Sequence, residues 1–171
     1  MLLGRSDLLS LFDELSREPR LHRTRAQVYV IGGAAMSLAY ARNRLTEDVD
    51  ARFDAGHYRL TQAVRTVARR HGLPESWLNE QAVSAIPRSP DGMARTLYST
   101  PSLTVTGASP KHLLAMKDRD DIRSLVHLLD IRVPEDGRRI HDRLFPGEAI
   151  PRSAREYLEE ACSGRPPTDS E

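Results

Sequence analysis

Apolar residues fall into helical and strand-like periods along almost the whole chain. Leu8, Leu9, Leu11, Phe12 and Leu15 recur at helical spacing, which predicts an amphipathic helix capped by Ser6 and running to about Arg17. A basic, turn-like stretch follows at 17–25, and then the β-branched run QVYVI at 27–31 is short enough for a buried strand. The pair Gly32-Gly33 ends that run, and the small apolar residues at 34–42 predict a helix. TEDVDARF at 46–53 alternates as a second strand does, with a break at 54–56. Residues 57–71 predict a helix with Leu60, Ala63, Val64, Val67 and Ala68 on one face. Arg59, Arg65, Arg69 and Arg70 lie mainly on the other, a polar face suited to solvent or to RNA.

Gly72 and Pro74 interrupt, a short helix is predicted around Trp77 and Leu78, and 87–92 reads as a loop. Strands are predicted at 96–99 and 102–106. Ser109-Pro110 opens a helix with proline at its permissive first position, running through LLAMK towards Leu129. Closing helices at 135–144 and 153–162 flank the turn Phe145-Pro146-Gly147. The order predicts a mixed α/β (α+β) fold.

Length and composition narrow this. With 171 residues and 39% apolar composition, the chain reads as a single domain at 1–162, followed by a flexible tail, SGRPPTDSE, at 163–171. No apolar run approaches the ~18 residues needed to cross a bilayer. The opening MLLGRSDLLS lacks the apolar core of a secretory signal, so a cytoplasmic protein without a membrane partner is expected. Cys162 is the sole cysteine, which excludes an intramolecular disulfide framework and a multi-cysteine zinc site. Net charge is only +1, yet Lys111 and Lys117 are the only lysines and arginine supplies the rest. A GC-rich genome accounts for such a bias, and arginine's planar fork of donors also suits phosphate.

Polar residues with bland roles can be set aside. His22, His57, His71, His112, His127 and His141 show no close ligand spacing, so they read as surface or satisfied histidines. Ser37 has no Ser-His-Asp context, and Trp77 and Tyr98 read as core aromatics.

The chemically informative stretch is IGGAAMSLAYARNRLTEDVD at 31–50. Glycines where a strand meets a helix let a ligand approach the backbone closely and let first-turn amides face a phosphate chain. Asp48 and Asp50, one residue apart, project from the same face of a strand. Two carboxylates held together call for a cation, and Mg²⁺ suits them because it completes its shell with water and substrate phosphates.

The order strand, Gly32-Gly33, helix, then Arg44, Thr46, Asp48 and Asp50 resembles the nucleotidyltransferase-fold signature, GG, a helix, then R-x-[ST]-x-D-x-D. More narrowly, the chain is similar to nucleotidyltransferase toxins of the AbiEii or MenT type from bacterial toxin–antitoxin pairs. SLTVTGASPKHLLAMK followed by RDDIRSL resembles that group's strand, Ser-Pro helix start, Leu-Leu-x-x-Lys and Asp-Asp-Ile-Arg. The resemblance covers 27–129 and, more loosely, the closing helices.

The resemblance implies a small mixed β-sheet flanked by helices, with C-terminal helices. It implies a toxin that transfers NMP from an NTP, a pyrimidine NTP in expectation, to RNA. The favoured acceptor is the tRNA 3′ end, which blocks translation and growth. Mg²⁺, with Mn²⁺ as the alternative, is the implied cofactor, and a cognate antitoxin the implied protein partner. Residue by residue, Asp48 and Asp50 become the metal carboxylates, and Gly32 and Gly33 lie against the nucleotide phosphates. Arg44 and Thr46 edge the site, Lys117 neutralises the triphosphate, and Asp121, with Asp118, supplies a later acidic group. Asp50 or the later aspartate would help deprotonate the attacking hydroxyl.

Two departures from the pattern stand out. LTVTG at 103–107 carries no third carboxylate, and Lys117 abuts DRDDIR with no intervening helical residues. At three and four residues' spacing, Lys117 with Asp120 or Asp121 also suits a helix-surface ion pair. Thr46, two residues before Asp48, is a candidate regulatory phosphosite. Two rival functions remain open: transfer to a small molecule such as an aminoglycoside or to a protein hydroxyl, and a catalytically inactive nucleotide- or partner-binding module.

Overall fold

The computed structural model describes residues 2–40, 44–116 and 119–163. The chain forms two compact units, one built from Met1–Ala85 with Gly92–Ala108 and the other from Ile86–Asp91 with Ser109–Glu171. The tail expected from 163 falls, beyond Ser163, outside the described residues.

The first unit opens with α1 (Arg5–Arg17), whose Leu8, Leu11, Phe12 and Leu15 are buried. Gly4 rather than Ser6 is its N-cap, because Asp7 accepts a hydrogen bond from the Gly4 N–H at 2.8 Å and ties the first turn. After the 3₁₀ turn Pro19–Leu21 comes β1 (Ala26–Val30), then α2 (Gly32–Ala35), β2 (Val49–Ala55) and α3 (His57–His71). The sequence places α3 correctly at both ends, and Leu60, Ala63, Val64, Val67 and Ala68 are all buried. Gly56 before it and Gly72 after it both take the left-handed conformation, which explains why the helix is bounded there. α1 and α3 pack together.

The helix expected at 34–42 begins earlier and does not stay α-helical. It starts at Gly32 and widens after four residues into a π-helical turn, Met36–Tyr40. Two hydrogen bonds accompany the widening: the buried Ser37 hydroxyl donates to the Arg44 carbonyl at 2.9 Å, and the Tyr40 hydroxyl to the Ala108 carbonyl at 3.1 Å. Single π turns inside helices recur at functional sites.

The short helix expected around Trp77 is instead the approach to β3 (Leu78–Asn79). The Val49 N–H donates to the Trp77 carbonyl at 2.7 Å, and Leu78 and Asn79 then run parallel to Val49 and Asp50. Pairing with the β2 edge outweighs local preference here. With β4 (Arg95–Ser99) and β5 (Leu103–Gly107), the sheet has five strands in the order β3-β2-β1-β5-β4. β1 pairs antiparallel with β2 and parallel with β5, so the sheet is mixed.

The second unit holds α4 (Pro110–Met116), α5 (Arg119–Leu128), α6 (Pro134–Leu144) and α7 (Arg152–Ser163). The helix expected to run from Ser109 towards Leu129 is thus described as two, with 117 and 118 outside the described residues. α6 approaches α7 closely at Gly137, where a Cβ would stand 2.8 Å from a Leu158 methyl. Among the described residues no helix is long and apolar enough to cross a membrane.

Candidate functional site

The antiparallel pairing of β1 and β2 places the end of one strand beside the start of the other: Val30 lies opposite Ala51. The Ile31 N–H donates to the Asp50 carbonyl at 2.9 Å, so Asp50 sits next to the strand-to-helix turn. Gly32 takes φ +59°, a region that costs an L-residue about 1–2 kcal/mol, so glycine is suited to this turn. A Cβ there would stand 3.8 Å from Asp50 Oδ2. A Cβ on Gly33 would meet Thr46 Oγ1 at 3.2 Å and Arg44 Nε at 3.4 Å. The two glycines thus bring backbone directly against Arg44, Thr46 and Asp50.

Asp48 does not lie on the straight strand expected at 46–53. β2 begins at Val49, and Asp48 lies in a bend ahead of it. Thr46 makes only a single bridge, with Leu3, exchanging N–H and carbonyl at 2.7 and 3.0 Å. The Thr46 hydroxyl donates to the Asp48 carbonyl at 2.9 Å and fixes the bend. Asp48 and Asp50 are half-buried, whereas the intervening Val49 and Ala51 are buried, so the acidic positions face away from the core. Farther along that face, Arg52 is committed to Asp54, which raises its pKa, and lies 5.0 Å from the centre of the Tyr29 ring.

Asn79 is the site residue that sequence reasoning missed. Its side-chain amide donates to Asp48 Oδ2 at 3.2 Å and to the Ser76 carbonyl at 3.1 Å, while its own carbonyl oxygen accepts the Gln81 N–H at 2.8 Å. Three contacts lock the amide, so it positions the Asp48 carboxylate. A two-residue strand has no alternation to read, and an isolated asparagine carries no motif. Partners one step behind metal-ligating groups typically matter 10–100-fold. If Asp48 holds a cation, Asn79→Ala is expected to weaken Mg²⁺ binding by about tenfold or more with the fold intact. A metal titration with circular dichroism as control checks it; an unchanged titration would remove Asn79 from the site.

The donor set suits a hard cation. Among the described residues no group of three or more His, Cys, Asp and Glu forms a ready-made cage, and β5 contributes no carboxylate. Two carboxylates match Mg²⁺, which retains waters and takes substrate phosphate oxygens. Lys117 and Asp118 lie outside the described residues. Asp121 belongs to α5 in the second unit and is 3% exposed, so it is not a surface residue as the ion-pair reading requires.

Comparison of the chain with protein-family models, with curated proteins and with solved structures finds no match in any of the three.

Other expectations resolve simply. Trp77 is core: it is 1% exposed, its indole N–H donates to the Val64 carbonyl at 3.2 Å, and its ring centre lies 6.4 Å from that of Phe12. Tyr98 is half-buried beside Phe12, and burial pushes its hydroxyl pKa up. Two histidines depart from a surface role. His112 is buried with Nδ1 3.5 Å from Asp91 Oδ2, and His141 is buried and stacked on Phe145 with ring centres 5.3 Å apart. Cys162 is buried and in no disulfide.

Proposed function

We propose that the first unit carries a Mg²⁺-dependent nucleotidyltransferase site that moves NMP from an NTP onto an RNA 3′-hydroxyl. The observation that supports this reading is the meeting of the Gly32-Gly33 turn with Arg44, Thr46 and Asp50, beside an Asp48 held by Asn79. In the reaction, the 3′ oxygen bonds to the α-phosphorus, the bond from that phosphorus to the pyrophosphate bridging oxygen breaks, and pyrophosphate leaves. The missing Cβ atoms of Gly32 and Gly33 let the turn close against Arg44, Thr46 and Asp50, so that a triphosphate meeting this turn meets those side chains as well. Arg44 adds positive charge at the Gly33 edge. Asp48 and Asp50 would hold the metal, which when bound neutralises charge on the phosphoryl oxygens. Asp50 also takes the proton of the attacking hydroxyl.

Transfer to the tRNA 3′ end, use of a pyrimidine NTP, a cytoplasmic toxin's role and restraint by an antitoxin belong to the same proposal, and they rest on the family resemblance. A second reading, a nucleotide-binding module without turnover, draws on the pair of carboxylates where three are common. The test is incubation of the protein with total tRNA, Mg²⁺ and each α-labelled NTP, with Asp48→Ala alongside. Label entering tRNA with the wild type alone supports transfer and reveals the nucleotide. NTP binding by folded protein without label in tRNA overturns the tRNA assignment. Label in a small molecule or protein would then select another acceptor, and its absence everywhere the binding module.

A further inference from the structure

The chain as a whole carries a net charge of +1, yet two of its segments are strongly basic. Residues 17–25 and 57–72 together contain eight arginines and a single carboxylate, Glu18. The fold brings these segments together: the 3₁₀ turn Pro19–Leu21 packs on α3. Arg20 donates to the Thr66 hydroxyl at 3.1 Å, and Arg59 to the Thr24 hydroxyl at 3.5 Å. Carboxylates nearby are already engaged. Arg70 takes Glu14 and Glu18, His71 also takes Glu14 and holds its carboxyl below the usual range, Arg17 takes Asp13, and Arg65 takes Glu75. Among the described residues, Arg20, Arg23, Arg25, Arg59 and Arg69 have no carboxylate partner, and all five are exposed.

These guanidinium groups form a row. Positions 59, 66 and 69 fall on one side of α3, with Arg20 standing over Thr66 between Arg59 and Arg69. The ten-residue rise from Arg59 to Arg69 spans about 15 Å, enough for a few consecutive phosphates of one strand. Arg20 and Arg59, tied to neutral hydroxyls, and Arg69, whose Nε donates to the Arg65 carbonyl at 3.3 Å, keep most of their donors for a ligand, and a planar fork suits phosphate oxygens. Of the three, Arg59 lies nearest the Ala26 end of β1, the end opposite Gly32.

We infer that the face made by α3 and the turn at 19–25 is a docking surface for the phosphate backbone of single-stranded RNA, with Arg20, Arg59 and Arg69 as its main contacts. The surface binds backbone, so it reads charge spacing rather than sequence. It is independent of the transfer chemistry: RNA binding without label transfer would keep this inference and remove the proposed reaction.

The experiment measures anisotropy of a fluorescein-labelled 20-nucleotide oligouridylate against the full chain, without NTP or Mg²⁺, across a salt series. Arg20→Gln/Arg59→Gln/Arg69→Gln is expected to weaken binding at least tenfold. It should also lower the slope of log affinity against log salt by about 2, as loss of three phosphate contacts requires. Arg132→Gln/Arg139→Gln/Arg152→Gln, the same charge change at exposed residues of the second unit, is expected to change affinity less than threefold; circular dichroism confirms folding of both. Equal losses in the two triple variants, or no loss in the first, would overturn the inference. So would polyglutamate of equal charge displacing the RNA at matching concentration, which would point to an acidic protein instead.

Discussion

Asp50→Asn is expected to lower nucleotidyl transfer by about 10³-fold or more, while the thermal transition moves by less than about 2 °C. Asparagine keeps the shape of a half-buried side chain, and the backbone bond that anchors this position, from the Ile31 N–H to the Asp50 carbonyl at 2.9 Å, is untouched. What disappears is charge. The proposed site has two carboxylates for a divalent cation, so neutralising one removes half its anionic ligands, and the group assigned to accept the hydroxyl proton loses its basicity. A loss near 4 kcal/mol of transition-state stabilisation corresponds to about 10³ in rate. Asp54→Asn on the same strand is the matched control: Asp54 is exposed and paired with Arg52, and transfer should stay within about twofold. Single-turnover rates for the two variants decide the matter. An Asp50→Asn enzyme within tenfold of wild type would exclude Asp50 from both roles.

The contrast between Asp50 and Asn79 shows which parts of such a site a sequence discloses. Two aspartates one residue apart arise often by chance, and Asp48 and Asp50 draw notice only because a strand, the glycine pair, a helix, Arg44 and Thr46 precede them in order. α3 is legible for a similar reason: five apolar residues hold one face over four turns, and Gly56 and Gly72 mark the boundaries. The π-helical turn at Met36–Tyr40 is not legible, because its side-chain hydrogen bonds end outside the helix, on the Arg44 carbonyl and the distant Ala108 carbonyl. Nor is β3, whose two residues become a strand only when Val49 and Asp50 offer an edge. Local pattern fixes long elements, whereas short ones and their side chains depend on partners far away in the chain. Asn79, 31 residues after Asp48, belongs to the second class.

Trp77 links the core to that second class, and Trp77→Ala should destabilise the sheet unit by about 3–5 kcal/mol, the range for truncating a fully buried aromatic. The indole is 1% exposed, lies near the Phe12 ring, and donates its N–H to the Val64 carbonyl of α3 at 3.2 Å. Removing it leaves a cavity between α1, α3 and the β2 edge and takes away the second hydrogen bond to the helical Val64 carbonyl. For a chain of this size the change corresponds to a melting temperature lower by about 10 °C. Trp77→Phe refills much of the volume but not the hydrogen bond, so a smaller loss of about 1–2 kcal/mol is expected. Tyr58→Ala, at a residue 77% exposed, should be nearly neutral. Because Trp77 is the sole tryptophan, denaturant unfolding is followed by circular dichroism rather than fluorescence. The Trp77 carbonyl also accepts the Val49 N–H at the start of β2, two residues before Asn79, so loss of the indole loosens the strand pairing that aims Asn79 at Asp48. Trp77→Ala should therefore need more Mg²⁺ for activity even below its melting temperature, and Trp77→Phe much less so. A Trp77→Ala protein with wild-type Mg²⁺ dependence would mean that the β2 pairing holds Asn79 in place without the core beneath it.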